Sequence, residues 1–429
     1  MKILWLTNIP LPEACQLMNE TPSPFGGWLI NASKRLSTIE DIQLSIAFPK
    51  SQSKDVIQLT GENISYYSFP SVSMKDESSI RDNSYIKRIV RELKPDLVHA
   101  FGTEYAHTLA MINVCKDIGI KTVISIQGLV SVYSKHYTAN LPIRVQKKYT
   151  FRDLIKKSNL IQQQKQFEKK GKLEIEAIQK ANHIIGRTTW DKGCTEQINP
   201  NAKYHFCNET LREEFYKHKW SIDRCEKHSI FLSQAGYPIK GLHYVLEAMP
   251  LIQQKFPDTK LYIAGIDITS SVTLSEKLRM SSYAKYIAKL IENYNLVDSV
   301  LFTGVLDEKK MCQRYLSSNV FVSPSSIENS PNSLGEAMIL GVPCVASHVG
   351  GVPDMLKHNE DGYVYQADAP YMLAHYVCEI FESDERALKF SNNSRTRAWK
   401  THNPTINTNR LIEIYEEILQ KKETSIENK

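Results

Sequence analysis

Short apolar runs rich in β-branched residues alternate with helical patterns along almost the whole chain. The sequence predicts strands at 2–6, 42–48, 64–69, 96–100, 122–126 and 183–186, and again at 229–233, 260–264, 299–303, 319–323 and 343–347. Helical patterns separate them, at 27–36, 80–93 and 104–118 and then at 241–255, 283–293, 308–317 and 331–340. This alternation is typical of α/β proteins with doubly wound parallel sheets, which bind ligands at the carboxyl ends of their strands.

The chain length of 429 residues exceeds one ordinary core and suits two domains of roughly 200 residues each. We expect an N-terminal domain over 1–207 and a C-terminal domain over 226–394. The charged segment 208–228 contains turn-forming residues and is the predicted linker. Residues 395–420 are compatible with a long helix that is interrupted near Asn403-Pro404.

Composition excludes several classes of protein. The eight cysteines are scattered without a Cys-x-x-Cys pair, and no histidines cluster at metal-binding spacing, which favours a reducing cytosol and no metal site. No apolar run approaches 18 residues, so we expect no membrane span. The net charge of +6 is modest and does not by itself indicate nucleic acid binding.

The segment 319–347 carries the most specific chemistry. After the predicted strand at 319–323, Ser330 is a plausible N-cap and Pro331 a plausible first helical residue, and Gly341 ends the helix. The amides of Asn332, Ser333 and Leu334 would then lie at a helix N-terminus, which is a geometry that binds phosphate. Two carboxylates flank this terminus, Glu328 before the helix and Glu336 inside it, and they suit sugar or ribose hydroxyls.

This constellation resembles the donor site of the retaining glycosyltransferases of family 4 (group 1), which have the GT-B fold. Further motifs in the order of that family are Gly304, Ser323-Pro324, Glu336-Ala337, Gly341–Pro343, Gly350–Pro353 and Asp361-Gly362. The resemblance implies two doubly wound, Rossmann-like domains facing a central cleft, with the acceptor on the N-terminal side and a nucleotide sugar on the C-terminal side. It also implies that the last helix, 395–420, crosses back onto the N-terminal domain.

Lys240 follows the predicted strand at 229–233 and could neutralise a diphosphate leaving group. The family normally has an arginine five or six residues earlier, where this chain has Gln234 and Ala235. Arg187 or Arg212 could replace that missing cation, although either could equally be an ordinary surface arginine.

Three further positions in the first half could contribute. Gly26 and Gly27 follow Phe25 in a loop that can approach a ligand, as the resemblance implies for the donor phosphates, or they can form an ordinary helix-entry turn. Gln127 follows a predicted strand and can hold a sugar hydroxyl through its amide, but it cannot transfer protons at neutral pH. His99 ends another strand and could instead be a buried, hydrogen-bonded histidine.

The stretch 144–180 contains eleven Lys/Arg residues against four acids, with apolar residues interleaved. Such a basic amphipathic helix can rest on an anionic membrane surface, or it can be a solvated helix that packs through its apolar stripe. Binding to RNA is disfavoured because no nucleic-acid motif accompanies the basic residues.

The sequence therefore predicts a cytoplasmic, metal-independent glycosyltransferase that acts with retention and needs no cofactor beyond its nucleotide-sugar substrate. Glu328, Lys240 and Gln127 are its candidate catalytic residues. The acceptor would be a saccharide or a lipid-linked saccharide of a cell-surface polysaccharide, met at the inner face of the membrane. Two alternatives stay open: a nucleotide-sugar epimerase on the same scaffold, against which Gln127 counts, and a catalytically silent sugar-binding protein.

Overall fold

The computed structural model describes residues 1–22, 26–270 and 273–420, so Phe25 of the predicted glycine loop lies outside the described residues. Contacts divide the chain into two compact α/β units. Unit 1 comprises residues 1–131, 168–212 and those from His402 onward, and unit 2 comprises 132–167 and 213–401. The boundary between Arg212 and Glu213 falls within the predicted linker.

The first half of the chain contributes eight strands and ten α-helices within the described residues. Its strands are β1 (Lys2–Leu6), β2 (Gln43–Lys50), β3 (Ile57–Thr60), β4 (Ser65–Pro70), β5 (Leu97–Phe101), β6 (Lys121–Ser125), β7 (His183–Gly186) and β8 (Lys203–Phe206). Its helices are α1 (Pro12–Leu17), α2 (Gly27–Ser37), α3 (Glu77–Arg81), α4 (Ser84–Leu93), α5 (Ala106–Ile118), α6 (Val130–Tyr133), α7 (Ile143–Gln146), α8 (Phe151–Lys156), α9 (Leu160–Lys180) and α10 (Thr189–Ile198).

The eight strands form one sheet in the order β3-β4-β2-β1-β5-β6-β7-β8. All neighbours are parallel except β3 and β4, which pair antiparallel. The chain leaves β1 towards β2 on one side and returns as β5 on the other, so the strand order reverses between β1 and β5. The predicted doubly wound sheet is confirmed, and β3 and β8 are edge strands that the sequence analysis missed.

The second half of the chain contributes six strands and nine α-helices within the described residues. Its strands are β9 (Glu226–Leu232), β10 (Lys260–Ile263), β11 (Val300–Phe302), β12 (Ser318–Ser323), β13 (Cys344–Ser347) and β14 (Tyr363–Tyr365). Its helices are α11 (Leu242–Gln253), α12 (Leu274–Arg279), α13 (Ser282–Asn293), α14 (Glu308–Leu316), α15 (Asn332–Leu340), α16 (Val352–Met355), α17 (Pro370–Glu382), α18 (Asp384–Thr401) and α19 (Pro404–Gln420).

The sheet of unit 2 is parallel throughout, in the order β11-β10-β9-β12-β13-β14. Its strand order reverses between β9 and β12, which makes the carboxyl ends of these two strands the expected ligand position. β12 is buried on both faces, as is usual for a central parallel strand covered by helices.

The segment 132–167 belongs to unit 2, although the sequence analysis assigned it to the N-terminal domain. The physical reason is a pair of hydrogen bonds to the Ala139 carbonyl, from the Tyr244 hydroxyl at 2.7 Å and from the His243 ring at 3.0 Å. The predicted basic helix over 144–180 is divided into α7, α8 and α9, and none of the helices in the described ranges is long and apolar enough to cross a membrane.

The C-terminal helical region breaks at the predicted place. α18 ends at Thr401 in unit 2, and α19 begins at Pro404 and packs in unit 1. Within unit 1, the buried hydroxyl of Tyr415 on α19 accepts a hydrogen bond from Trp5 Nε1 at 2.9 Å and lies 2.6 Å from His99 Nδ1. This network connects α19 to β1 and β5, and residues 404–420 therefore complete the core of unit 1.

Replacing Tyr415 with Phe should lower the free energy of unfolding by about 1–3 kcal/mol, because the indole N–H of Trp5 would stay buried without an acceptor. Urea denaturation followed by tryptophan fluorescence measures this loss. Tyr371→Phe is the matched control, since Tyr371 is an exposed residue of α17 and the same substitution there should change stability little. Equal stability of the two variants would contradict a structural role for the Tyr415 hydroxyl.

Candidate functional site in unit 2 and polar cluster in unit 1

Lys240 lies in the loop that follows β9, at the end of a short 3-10 turn over Pro238–Lys240. Gly241 comes next with φ = 72°, which is a left-handed conformation that glycine adopts without strain. A Cβ atom on Gly241 would lie 2.0 Å from the Pro324 carbonyl oxygen, so only glycine fits this contact. The loop that carries Lys240 therefore lies directly against the loop that follows β12.

A hydrogen bond holds the same two loops together, since the Ser326 amide donates to the Ile239 carbonyl at 2.8 Å. The Ser347 hydroxyl, at the end of β13, donates to the Ser325 carbonyl at 2.5 Å and fixes the loop from its other side. The carboxyl ends of β9, β12 and β13 are thus joined into one rigid edge.

Glu328 and Lys240 form an ion pair at this edge. The Ser325 hydroxyl donates a second hydrogen bond to the same Glu328 oxygen at 2.9 Å. Burial alone would lower the pKa of the Lys240 ammonium, but Glu328 and the neighbouring Tyr237 outweigh that effect and raise this pKa above its usual value. Lys240 is therefore a permanent cation, held next to a carboxylate in a partly buried site.

Two glycine-containing contacts fix the backbone of Glu328. The Gly351 amide donates to the Glu328 carbonyl at 3.1 Å. Gly350 has φ = 49°, and a Cβ atom there would lie 1.8 Å from the Glu328 carbonyl oxygen. The Gly350-Gly351 motif that the sequence analysis singled out therefore has a structural purpose, because it lets the chain after β13 pack against Glu328.

α15 begins one residue later than predicted, with Pro331 as its N-cap and no side-chain cap. Ser330 is not the cap, since its hydroxyl contacts the Met355 sulfur at 3.4 Å. The Leu334 amide donates to the Pro331 carbonyl at 3.0 Å, so it is the one of the three predicted phosphate-binding amides that already has a partner, and its role in phosphate binding stays a prediction.

The amides of Asn332 and Ser333 have no hydrogen-bond partner among the described residues. The buried Oδ1 of Asn332 has no partner there either. Glu336 follows on the same helix and is almost fully buried. Two donor groups at a helix N-terminus, followed by a buried carboxylate, can accommodate an anion together with a hydroxyl-bearing ligand.

The first-unit candidates Arg187 and Gln127 converge on a residue that the sequence analysis overlooked. Arg187 follows β7 and forms a buried ion pair with Glu209. Gln127 follows β6, and its Nε2 donates to the other Glu209 oxygen at 2.6 Å. Glu209 lies in the predicted linker, two residues after Cys207. Strand β8 ends three residues before it, so a correct prediction of β8 was the one signal that could have placed Glu209 at the carboxyl end of a strand.

Arg187 also borders a small cavity of unit 1 with a volume of about 40 Å³. The cavity is mostly apolar, and the aromatic rings of Trp5, Trp28 and Phe101 contribute to its wall. The buried Nε of Arg187 has no hydrogen-bond partner among the described residues. Arg187 is therefore not the surface arginine that the sequence analysis allowed as an alternative.

Gly26 and Gly27 form the entry to α2. Gly26 is the N-cap with φ = 78°, and Gly27 lies so close to Arg212 that a Cβ atom would be 2.7 Å from its Cγ and Cδ atoms. Both glycines thus have a packing reason that needs no ligand. His99 is a buried, hydrogen-bonded histidine, which was one of the two roles that the sequence analysis allowed. It contacts Ser125 Oγ at 2.7 Å, and burial lowers its pKa to about 3.

Among the residues that the structure describes, no group of three or more His, Cys, Asp or Glu side chains could hold a metal ion. None of the eight cysteines, which all lie within the described ranges, forms a disulfide bond.

The Arg187–Glu209 pair should stabilise unit 1. Arg187→Leu is expected to lower the free energy of unfolding by about 3–5 kcal/mol, because it leaves the Glu209 carboxylate buried without its cation. The double variant Arg187→Leu/Glu209→Leu removes both charges and should recover most of that loss in urea denaturation. A double variant as unstable as the single one would show that another contact is responsible. If the folded double variant binds a nucleoside diphosphate with unaltered affinity, Arg187 has no role in donor binding.

Comparison with protein families and solved structures gives a consistent result. The family model described as "Glycosyl transferases group 1" matches residues 213–397. N-acetyl-alpha-D-glucosaminyl L-malate synthase of Bacillus anthracis is 26% identical over 233 residues, which are 52% of this chain and 56% of that protein. The chain spans about half the length of the curated relatives it matches.

Two solved structures share the fold over nearly the whole chain. Sucrose-phosphate synthase of Thermosynechococcus elongatus has a TM-score of 0.70 at 15% identity, covering 98% of this chain and 100% of that one. Anabaena Alr3699/HepE, in complex with UDP and glucose, has a TM-score of 0.68 at 14% identity, covering 97% and 100%. The chain therefore has the GT-B fold, and its residues 213–397 match the group 1 glycosyltransferase family.

Proposed function

We propose that this chain is a retaining glycosyltransferase of family 4 that transfers a sugar from a nucleotide-diphosphate sugar to a saccharide or lipid-linked acceptor. The observation that carries the proposal is the Lys240–Glu328 ion pair beside the N-terminus of α15, at the point where the strand order of unit 2 reverses. The family match over 213–397 covers all of these residues, and the HepE structure holds UDP and glucose on the same fold.

The arrangement suits a diphosphate that leaves with negative charge. Lys240 and the amides of Asn332 and Ser333 are the donors that would stabilise it, so the reaction needs no metal ion. Glu328 would accept hydrogen bonds from the donor sugar, and Glu336 from the ribose. Because Glu328 already pairs with Lys240, it also fixes the position of the lysine before the donor arrives.

Retention follows from attack on the same face that the leaving group departs from. The bond between the sugar C1 and the diphosphate oxygen breaks, the bond from C1 to the acceptor oxygen forms, and the diphosphate oxygen takes the acceptor proton. Gln127 cannot replace that oxygen as a base. Its Nε2 is occupied by Glu209, which leaves its carbonyl oxygen to accept a hydrogen bond from a sugar hydroxyl.

We infer a cytoplasmic location at the inner face of the membrane, in the synthesis of a cell-surface polysaccharide. The eight cysteines form no disulfide among the described residues and most of them are buried, which suits a reducing compartment. Nucleotide sugars would be the donors there, and no cofactor is needed beyond this substrate.

Lys240→Ala should lower turnover by several hundredfold or more, which corresponds to about 2.7–4 kcal/mol for one donor to a developing anion. A thermal-shift screen of nucleoside diphosphates first identifies the base, and donor turnover is then measured with and without EDTA. Lys255→Ala, which breaks an exposed ion pair with Glu382, is the control and should keep full activity. A loss below tenfold, or inhibition by EDTA, would contradict the role of Lys240 as the main diphosphate cation. Conversion of the donor into an epimer would contradict transfer itself.

Glu336→Gln and Glu328→Gln should have different effects. Glu336→Gln should weaken binding of the free nucleoside diphosphate by about 1.5–3 kcal/mol, because a charge-assisted bond to a ribose hydroxyl is lost. Glu328→Gln should depress turnover while nucleotide affinity falls little, because its proposed partner is the sugar. Isothermal titration and initial rates separate the two. Wild-type turnover of the Glu328 variant, or unchanged nucleotide affinity of the Glu336 variant, would remove that residue from the site.

A further inference from the structure

Apolar side chains cluster on the surface of one basic segment of unit 2. This segment, 143–157, is called the basic tip below and contains α7 and α8. Its exposed large apolar side chains are Ile143, Tyr149, Phe151, Leu154 and Ile155. Single exposed apolar residues are ordinary on protein surfaces, but several within one short segment indicate an interaction site.

Three of these side chains lie on one face of α8. Phe151, Leu154 and Ile155 have the i, i+3, i+4 spacing of a helix stripe and are 54%, 62% and 67% exposed. A capping box of Thr150 and Asp153 fixes the start of the helix, with bonds of 3.1 and 3.2 Å. The stripe is therefore held in place by the fold while its apolar atoms stay in contact with water.

Positive charge surrounds the stripe. The basic tip contains six basic residues, Arg144, Lys147, Lys148, Arg152, Lys156 and Lys157, against the single acid Asp153, which gives a net charge of 6 − 1 = +5. Asp153 is buried and pairs with Arg152 at 3.2 Å. The four lysines form no ion pair with any described residue, so their charge is available to a partner.

This combination of exposed apolar side chains and unpaired lysines indicates which kind of partner fits the basic tip. An anionic bilayer offers both an apolar interior for Leu154 and Ile155 and phosphate groups for the lysines around them. A nucleic acid would satisfy the lysines and offers bases for Phe151 to stack on, but it would leave the aliphatic Leu154 and Ile155 in water. An apolar protein groove would satisfy the stripe and would leave the lysines uncompensated.

We propose that the basic tip docks on an anionic lipid bilayer, with the α8 stripe inserted among the headgroups and the four lysines on lipid phosphates. This deepens the membrane location inferred above by naming the surface that makes the contact, and it does not depend on the transferase activity. The rest of the basic stretch that the sequence analysis identified has a different role. In α9, Ala177 and Ile178 are buried, and the buried Glu174 accepts hydrogen bonds from Ser131 and Thr103.

The test uses the full-length purified chain and sedimentation with vesicles. The protein should bind vesicles of phosphatidylcholine mixed with phosphatidylglycerol, bind pure phosphatidylcholine far less, and be released at ~0.5 M salt. Changing Lys147, Lys148, Lys156 and Lys157 to Gln should lower the partition coefficient on the order of a thousandfold. Leu154→Ser/Ile155→Ser should lower it by about tenfold or more while leaving the charge unchanged.

A matched control changes Lys54, Lys75, Lys116 and Lys309 to Gln, which removes the same number of exposed charges elsewhere and should leave binding near the wild-type level.

Equal binding to both vesicle types, or an equal loss in the control, would overturn the proposal. So would a concentration-dependent dimer that Leu154→Ser/Ile155→Ser abolishes in the absence of lipid, because the tip would then be a self-association surface. Nucleoside diphosphate affinity, measured on the same variants, should not change. If no protein variant turns over any donor, the transferase proposal fails while the vesicle result stands.

Discussion

In unit 2, the close contact between the loops after β9 and β12 brings the two charged side chains Lys240 and Glu328 together. Gly241 lies against the Pro324 carbonyl, and the Ser326 amide bonds to Ile239, because their strands are parallel neighbours that end at the same edge of the sheet. Lys240 is carried by one loop and Glu328 by the other. Any side chain at position 241 would separate the two loops and pull the lysine away from its carboxylate.

Two ion pairs of similar chemistry have different surroundings. Lys240–Glu328 is partly exposed, and its neighbours are a hydroxyl and a helix N-terminus whose first amides have no partner in the described chain. Lys240 is the more exposed partner, with 18% of its side chain exposed against 10% for Glu328, so a ligand anion would meet the lysine and not the carboxylate. The Arg187 side chain is more deeply buried than that of Lys240, at 5% exposed against 18%, and its partner Glu209 also accepts a hydrogen bond from Gln127. Removing one partner there leaves an uncompensated charge, so the pair is primarily a structural element of unit 1.

The basic tip shows how folding changes the meaning of a composition bias. Over 144–180 the sequence has one continuous basic and apolar character, but the fold divides it between the two units. In α9 Ala177 and Ile178 become core and the buried Glu174 is hydrogen-bonded, whereas in α8 Leu154 and Ile155 stay in water. Burial, and not charge pattern, decides which part of the stretch is free to bind a partner.

The sequence by itself determined the layered α/β architecture, since buried parallel strands are continuous apolar runs and turn residues such as Gly341 and Pro404 end or begin helices through local backbone preferences. It also pointed to Lys240, Glu328 and the start of α15, because these positions follow predicted strands in the order found in the glycosyltransferase family that the sequence resembles. The sequence analysis did not predict the edge strands β3 and β8, because these exposed strands lack an apolar run, nor β14, which is only three residues long. Only the tertiary structure decided that Glu209 joins Arg187 to Gln127, that Pro331 satisfies the Leu334 amide, and that 132–167 packs in unit 2. Each of these depends on hydrogen bonds, ion pairs or packing that form only when the backbone is folded, and local sequence preferences therefore do not predict them.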